Sequence, residues 1–369
     1  MAKKSKKKFW QKNPVKKIST PIQQNFEPII SIITTMYNDE QYIQEMLNSI
    51  LMQNFSNFEW IIIDDQSTDN SLEIVKKFAE HFPKDQIRIV KNSIHSGSKA
   101  DLRNFCMKQA RGKYLTFVEP SDWLAPNFLH DFYKIAEDNN VDLVRPRKYL
   151  LSDGKRSKDG NLITLMKNDE CYEPVQKVEY LQASFAEKIF LLTSHKLNQS
   201  LYGTLFRREL IEKNQFRFLR LTIGSELFFS LQMFFVATKY FCVDDASYIH
   251  RNMKPTLSLS QMIQATSDGI VLIKDFLNRI QYFRENQNDF NEVVAYFFKM
   301  QFDEIRKYQL QVGIDSPEYK AELDRLFRPI FGEDTIFVTR LFRFAGRKIV
   351  PATISKKVGE YKTRLMIAE

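Results

Sequence analysis

The chain has 369 residues, 43% of them hydrophobic and 27% charged, and these ordinary globular values exclude a small stapled scaffold and wholesale disorder. The net charge of +9 comes from the ends: the first 20 residues hold eight lysines and no acid, and residues 334–369 hold eight basic and three acidic residues. The residues between these ends, which we call the body, include 38 basic and 42 acidic residues. This slightly acidic balance argues against a nucleic-acid-binding protein, in which positive charge usually clusters on the folded domain.

Two features of the composition indicate the compartment. The three cysteines, Cys106, Cys171 and Cys242, are far apart and lack zinc-site spacing, which favours a reducing cytoplasm. The basic start is not followed by the apolar stretch of a signal peptide, because lysines and glutamines interrupt it. We therefore expect a cytoplasmic protein.

Strand and helix patterns alternate over the first third of the chain. Short apolar runs predict strands buried on both faces, at residues 29–34, 60–64, 87–90 and 114–118. Apolar residues at helical spacing predict the helices between them, at residues 39–52, 71–81 and 99–109. The alternation predicts an α/β fold with a mostly parallel, helix-covered sheet that binds its ligands beyond the carboxyl ends of the strands.

The rest of the chain divides into recognisable segments. Residues 151–175 have the turn residues of a hairpin or surface excursion, and polar residues within 227–243 indicate a buried helix running into a strand, not a membrane span. From residue 261 onward the pattern is helical, with Phe-rich stripes typical of core packing. We expect four regions: a basic tail, the α/β domain, a helical domain and a basic amphipathic segment, at 1–27, 28–260, 261–333 and 334–369.

Two acidic clusters follow predicted strands, where ligand chemistry is expected. In the first, Asp65 is placed to accept the imide N–H of a uracil, whereas Asp69 or Ser71 is the expected N-cap of the next helix. The second cluster contains Glu119 and Asp122, and carboxylate oxygens there suit a hard divalent ion that bridges phosphates.

A series of motifs in this order resembles the family 2 glycosyltransferases with the GT-A fold, over roughly residues 28 to 260. The matching segments are those at 31–38, 47–53, 64–71, 103–104, 110–114 and 122–126. The Gly97 to Asn104 spacing is similar to that of wall-teichoic-acid glycosyltransferases. The resemblance implies a Rossmann-like GT-A domain with a C-terminal helical region, and a metal-assisted, inverting transfer from a nucleotide-sugar.

The resemblance also implies roles for individual residues. Thr35, Tyr37 and Asp65 would hold the nucleobase of a UDP-linked sugar, with Asp39 or Glu40 near the same pocket. Arg103 would contact the pyrophosphate, or else be an ordinary helix-surface arginine, and Ser121 would lie beside the nucleotide-sugar. Mn²⁺ or Mg²⁺ would be bound by Asp122 with Glu119 and His250, although a histidine at a strand end is also a common structural residue. Glu226 falls on the position of the catalytic base.

The chain departs from the family pattern at three places that matter for catalysis. Gln66 replaces Gly, Glu119 and Ser121 replace Asp, and Ser225-Glu226 replaces Glu-Asp. Misplacing a catalytic oxygen by about 1 Å can cost about a hundredfold in rate. Two hypotheses therefore stand: an active transferase acting on a cell-surface polymer, teichoic acid or lipid-linked glycan, and a catalytically degenerate protein that binds nucleotide or supports an active partner glycosyltransferase.

The basic ends suggest where such a protein would work. Lysines surround Phe9-Trp10 near the start, and apolar residues alternate with arginines over 336–350, so both ends suit an anionic membrane surface. The alternatives are a disordered solubilising tail at the start and, at the end, a helix packed on the body or used for homo-oligomerisation. A tail that binds RNA is the weakest alternative, and nucleic acid is not expected as a partner.

Overall fold

The computed structural model describes residues 16–17, 26–146, 150–156, 162–166, 183–193, 200–221, 224–243, 248–251 and 259–297. These residues form two compact units. The first contains the described residues up to 166, those of 200–220 and those of 225–251, and the second contains residues 183–193, 221, 224 and 259–297. Residues 183–193, which lie inside the range predicted for the α/β domain, therefore belong with the C-terminal helices.

The first unit is built on an eight-stranded sheet. Its strands are β1 Lys16–Lys17, β2 Ile30–Met36, β3 Phe58–Asp64, β4 Ile87–Lys91, β5 Tyr114–Phe117, β7 Leu143–Pro146, β10 Leu205–Arg207 and β11 Tyr240–Val243, in the order β1-β4-β3-β2-β5-β10-β7-β11. Every residue of β2 and β3 is buried, because helices cover both faces and the continuous apolar runs leave no solvent face.

The parallel core of the sheet creates a switch point beside β2. Strands β4, β3, β2 and β5 are parallel, and the chain steps outward from β2 through β3 to β4 before it returns to the other side of β2 as β5. The connections after β2 and β5 thus diverge and leave a crevice at the carboxyl ends of these strands. The acidic clusters predicted to bind ligand follow β3 and β5, at this edge.

Helices join the parallel strands, as the sequence pattern predicts. They are α1 Ile43–Leu51, α2 Ser71–Ala79 and α3 Lys99–Gln109, followed by α4 Phe128–Asp138, α6 Arg208–Lys213 and α7 Ser225–Val236. Ser98 is the N-cap of α3. Its backbone is extended, and its hydroxyl accepts a hydrogen bond from the Asp101 amide. Helix α7 leads directly to β11, which confirms a buried helix running into a strand over 227–243.

Four further strands form a smaller sheet next to the crevice. They are β6 Trp123–Leu124, β8 Leu150–Arg156, β9 Leu162–Met166 and β12 Tyr248–Arg251, in the order β6-β12-β8-β9. Strands β8 and β9 pair antiparallel, which confirms the predicted hairpin. Because β6 directly follows Asp122 and β12 contains His250, this small sheet brings two distant segments to one place.

The second unit is helical in its described part. It contains α5 Phe185–Thr193, α8 Leu259–Asn278, α9 Gln281–Glu285 and a helical segment at 287–297. Phe185 stacks on Tyr282 with ring centroids 4.9 Å apart, and Phe297 packs where a side chain on Gly269 would lie. The Phe-rich stripe is therefore core packing as far as residue 297. No helix in the described segments of the chain is long and apolar enough to cross a membrane.

Candidate active site

The loops after β2 and β3 are braced against each other. Asn38 has the left-handed backbone conformation, with φ of 55°, and its amide donates to Ser67 Oγ at 3.0 Å. Its side-chain oxygen accepts from the Thr68 amide at 2.8 Å, and Glu40 accepts from the Asn70 amide at 2.8 Å. These reciprocal bonds connect the two loops at the carboxyl ends of β2 and β3.

Gln66 stands where the resemblance expects glycine, and its φ of 67° explains why glycine suits this position. The Gln66 side chain donates to the Ser93 carbonyl at 3.2 Å and accepts from the His95 amide at 3.1 Å. These two bonds tie the strained residue to the loop after β4. The departure at Gln66 is thus accommodated by the local structure.

Asp65 anchors the loop that leads into α3. Its buried carboxylate accepts from Asn92 Nδ2 at 2.8 Å, from Ser96 N and Oγ at 2.9 Å and from Gly97 N at 3.2 Å. His95 Nδ1 lies 2.9 Å from Oδ2 of the same carboxylate. Recognition of a uracil imide by Asp65 stays a prediction, and it requires one of these donors to give way.

An exposed aromatic pair lies beside Asp65. Tyr37, 43% exposed, stacks on His95 with ring centroids 4.1 Å apart and an interplanar angle of 27°. Thr35, on the preceding strand, is buried, and its hydroxyl has no hydrogen-bond partner among the described residues. Tyr37 and His95 thus form a stacked aromatic pair in contact with Asp65, while the nucleobase roles of Thr35, Tyr37 and Asp65 stay predictions.

Asp39 follows the aromatic pair in the loop after β2: its carboxylate accepts from the Tyr37 amide at 2.9 Å, and its amide donates to Ser71 Oγ at 2.8 Å. Burial raises the pKa of Asp39 from 3.8 to about 6, and the hydrogen bond from the Tyr37 amide and the positive charge of Lys99 only partly oppose this effect. The residue is therefore close to its titration range at physiological pH, unlike an ordinary surface aspartate.

Arg103 occupies the centre of the site and is 1% exposed. Its Nη2 donates to Glu119 Oε1 at 2.8 Å and its Nη1 donates to Glu226 Oε1 at 2.6 Å, while its guanidinium carbon lies 5.2 Å from the centroid of the Phe218 ring. The interpretation of Arg103 as a helix-surface arginine is therefore wrong, because α3 turns this side chain inward onto two carboxylates. Its contact with a pyrophosphate stays a prediction.

Glu119 follows β5 and is held by two cations. Lys99 Nζ bonds to its Oε2 at 2.5 Å, and Arg103 bonds to its Oε1. Burial alone would raise the pKa of Glu119, but the charges and hydrogen bonds of Lys99 and Arg103 lower it to about 2. Glu119 is consequently an anion whose two oxygens both face cations.

Asp122 is buried beneath the small sheet and accepts four hydrogen bonds. Tyr248 Oη and His250 Nδ1 lie 2.7 and 2.8 Å from its Oδ2, and the Arg251 amide and Ser121 Oγ lie 3.0 and 3.1 Å from its Oδ1. Burial and the negative charge of Asp122 raise the pKa of the Tyr248 phenol well above its usual value, so this hydroxyl remains a donor.

The predicted metal ligands are only partly brought together. Asp122 and His250 are in contact, and the carboxylate is the kind of ligand that Mn²⁺ or Mg²⁺ prefers, together with phosphate and water oxygens. The Glu119 side chain instead faces Lys99 and Arg103. Within the described residues no three His, Cys, Asp or Glu side chains form a metal-binding group. The metal site stays a prediction that Asp122 and His250 fit best.

Sequence reasoning assigned no role to several side chains of this site. Lys99 lies one helical turn before Arg103, a spacing that places both on one face of α3. Tyr248 precedes His250 by two positions on β12, so strand alternation points both to the same side. Tyr202 stacks on His250 with centroids 5.6 Å apart, and no periodicity predicts this contact. Ser225 Oγ donates to the Leu219 carbonyl at 2.7 Å.

Comparison with known proteins agrees with this architecture. A family model described as glycosyl transferase family 2 matches residues 31–214. The glycosyltransferase GlyA of Streptococcus pneumoniae is 25% identical over 251 residues, which are 66% of this chain but only 34% of GlyA. The chain thus spans only part of the length of this relative.

Two solved structures share the fold. Staphylococcus aureus TarS, residues 1–349, in complex with UDP-GlcNAc gives a TM-score of 0.61 at 20% identity and covers 81% of this chain and 79% of that one. The mannosyltransferase PcManGT of Pyrobaculum calidifontis, in complex with GDP-Man and Mn²⁺, gives a TM-score of 0.50 at 15% identity. The match covers 91% of this chain and 89% of PcManGT.

TarS is a poly(ribitol-phosphate) β-N-acetylglucosaminyltransferase. Its sequence is 34% identical to that of this chain over 116 residues, which are 31% of this chain and 20% of TarS. The motif series, the switch-point crevice and these matches agree with one another. The chain has the GT-A fold and belongs to glycosyltransferase family 2.

Proposed function

We propose that this chain is an inverting hexosyltransferase that moves a sugar from a UDP-linked donor onto a cell-surface polymer or lipid-linked glycan. One observation carries the proposal: the Arg103 guanidinium joins Glu119, at the end of β5, to Glu226, at the start of α7. Cationic groups for a diphosphate and a carboxylate for an acceptor hydroxyl thereby lie side by side at the switch point of the sheet.

The roles follow from the position of each residue in the crevice. Tyr37 offers its ring to the nucleobase, with Thr35, Asp39 and Asp65 around it and Ser121 next to the sugar. Lys99, whose side chain is 61% exposed, is the positive charge available to the diphosphate, and a contact with the buried Arg103 would require one of its carboxylate partners to move. A Mn²⁺ or Mg²⁺ ion held by Asp122 and His250, with Glu119 nearby, would neutralise further charge on the leaving group.

Glu226 is suited to the proton transfer. Its side chain is 29% exposed, so an acceptor can reach it, and Arg103 fixes one of its oxygens. In the transfer, the acceptor oxygen forms a bond to the anomeric carbon, the bond from that carbon to the diphosphate breaks, and UDP leaves with the electron pair. The hydroxyl proton passes to Glu226.

The relatives support the choice of donor and acceptor. TarS was solved with UDP-GlcNAc and is named for a poly(ribitol-phosphate) acceptor, and PcManGT was solved with a divalent metal. A polymer or lipid-linked acceptor made at the cell membrane would place this chain in the cytoplasm, at the inner face of that membrane.

A second candidate function is a degenerate, nucleotide-binding partner of another glycosyltransferase. Two observations favour it. The Asp65 carboxylate already accepts several hydrogen bonds from the protein, and the Ser225 hydroxyl donates to the Leu219 carbonyl. Such a protein would bind nucleotide or a partner enzyme without turning over any donor.

A donor screen separates the two candidates. Purified protein is given UDP-, GDP- and CDP-sugars with Mn²⁺, and release of the nucleotide is measured. We expect turnover of a UDP-sugar and a loss of about a hundredfold or more in Glu226→Gln, as removal of a general base implies.

The same loss is expected in Asp122→Ala, whereas Glu137→Gln should keep wild-type turnover, because Glu137 pairs with Lys113 outside the site. Full turnover in Glu226→Gln would show that Glu226 is not the base. The absence of turnover with every donor, together with nucleotide binding, would favour the degenerate protein.

A further inference from the structure

The orientation of Arg103 is fixed on several sides. Its guanidinium is 1% exposed and lies against the Phe218 ring. Phe218 is itself held by Asn104, which donates to the Phe218 carbonyl at 2.7 Å and accepts from the Phe218 amide at 2.8 Å. The guanidinium is planar, so any contact that fixes Nη2 also fixes the direction of Nη1.

Glu119 is the contact that fixes Nη2. Its side chain is 7% exposed, and its second oxygen binds Lys99, so the carboxylate has little freedom to rotate. The segment that carries it is held too, because Tyr248 Oη lies 3.5 Å from the Glu119 amide and also donates to Asp122. A line of contacts therefore runs from the Asp122 segment through Glu119 to Arg103.

Glu226 stands at the other end of this line. It belongs to the first turn of α7, and Arg103 Nη1 donates to its Oε1 at 2.6 Å. A glutamate side chain has three rotatable bonds, and burial in one conformation costs it considerable rotamer freedom. The bond from Arg103 supplies the restraint that holds this carboxylate in one place.

We propose that Glu119 is a positioning residue, which orients Arg103 through Nη2 so that Nη1 holds the Glu226 carboxylate ready for the acceptor hydroxyl. The proposal deepens the proposed transferase function and rests on it. It differs from the role expected from the sequence, in which Glu119 is a metal ligand. The binding partners of Glu119 are two protein cations and no other carboxylate or imidazole in the described part of the chain.

The length of the side chain at position 119 distinguishes the two roles. The resemblance places aspartate here, so a metal-ligand role predicts that Glu119→Asp keeps or improves activity and metal use. A positioning role predicts the opposite, because shortening the side chain by one methylene withdraws the oxygen from Arg103, whose guanidinium is packed and unable to follow. A displacement of about 1 Å at a catalytic group can cost about a hundredfold in rate.

The test compares Glu119→Asp and Glu119→Gln with wild type in donor turnover over a range of Mn²⁺ concentrations. We expect kcat to fall about 10- to 100-fold in Glu119→Asp and less in Glu119→Gln, which keeps the side-chain length and one acceptor oxygen, with the Mn²⁺ concentration for half-maximal activity unchanged in both. A raised Mn²⁺ requirement in Glu119→Gln, or wild-type kcat in Glu119→Asp, would overturn the proposal. Glu137→Gln, a carboxylate that also accepts from two side chains, is the matched control and should behave as wild type.

A second readout does not depend on activity. Calorimetry measures how much Mn²⁺ strengthens the binding of UDP to each protein. The gain should persist in both Glu119 variants and disappear in Asp122→Ala, and its loss in Glu119→Gln would contradict the positioning role.

Thermal unfolding verifies that each variant is folded before it is scored. If wild type neither binds UDP nor turns over a donor, the proposed function itself fails and the inference falls with it. Active wild type with unaffected Glu119 variants overturns the inference alone.

Discussion

Asp39 is a residue whose position costs the fold stability at neutral pH. Its carboxyl is partly buried within the loop after β2, and this burial raises its pKa to about 6. The unfolded chain ionises this group near pH 4, so between about pH 4 and pH 6 the folded state binds more protons than the unfolded state. Stability from this group is therefore greatest in acid and falls as the pH rises through the folded pKa.

Replacement of Asp39 by Asn should consequently stabilise the protein near neutral pH. The amide oxygen still accepts from the Tyr37 amide, while the cost of burying a charge disappears. We expect a gain of at most about 3 kcal/mol near neutral pH and none near pH 3.5, measured by urea unfolding at both pH values.

Asp69→Asn is the control, because the pKa of Asp69 is shifted in the opposite direction and its replacement should change the stability in the opposite sense. Burial alone would raise the pKa of Asp69, but hydrogen bonds from Ser71 and the Glu40 amide lower it, so its replacement should destabilise the protein near neutral pH. Equal effects of the two substitutions would contradict the electrostatic explanation.

At the scale of elements, β2 lies very close to Gly112, in the turn before β5. A Cβ added to Gly112 would lie 2.5 Å from the Ser31 amide nitrogen and 2.7 Å from the Ile30 carbonyl carbon. The Gly112 amide also donates to Ser31 Oγ at 2.9 Å, and that hydroxyl donates to the buried Glu59 at 2.6 Å. Strand β2 is central in the sheet, so it has no room to withdraw.

Gly112→Ala should therefore destabilise the protein by about 3 kcal/mol or more, since overpacking against backbone cannot be relieved by a side-chain rotation. Chemical unfolding provides the measurement. Gly97→Ala is the comparison: its φ of 61° strains an alanine, but the nearest atom to the added Cβ is 3.9 Å away. We expect this second substitution to cost about 1 kcal/mol. A cost for Gly112→Ala no larger than that would contradict the steric argument.

At the scale of the whole molecule, charge is separated between the body and the ends. The basic residues of 1–20 and of 334–369 lie outside the described residues, except Lys16 and Lys17, which form β1 at the edge of the sheet. The membrane role of the ends stays a prediction. Each basic residue near an anionic leaflet contributes about 1 kcal/mol to membrane binding, so we expect the lysines of the first eight residues to strengthen that binding measurably.

The intact protein should therefore be retained by anionic vesicles at low salt. Replacing the lysines of the first eight residues, Lys3, Lys4, Lys6, Lys7 and Lys8, by Gln should weaken retention by at least about tenfold, measured by vesicle sedimentation. In the matched variant, five exposed lysines of the body are replaced by Gln, so the net charge falls by the same amount. They are Lys77, Lys84, Lys108, Lys113 and Lys134. Equal losses in the two variants would assign the effect to net charge and not to the basic start.

Much of the fold was predictable because its signals are local. The continuous apolar runs of β2 and β3 and the helical spacing in α1 are properties of a few neighbouring residues, and burial on both faces follows from them. The order of the motifs was sufficient to predict the GT-A fold and family 2 membership, which are confirmed. The antiparallel β10, inserted between β5 and β7, and the assignment of α5 to the helical unit were not predicted.

The sequence by itself determined which residue types follow each strand, and hence that carboxylates and an aromatic ring stand at the crevice. Only the tertiary structure decided their partners. Arg103 and Glu226 are 123 positions apart, and no local pattern shows that one guanidinium joins Glu226 to Glu119. A hydrogen bond depends on the placement of two elements to within about an ångström, which packing of the whole unit sets and periodicity does not.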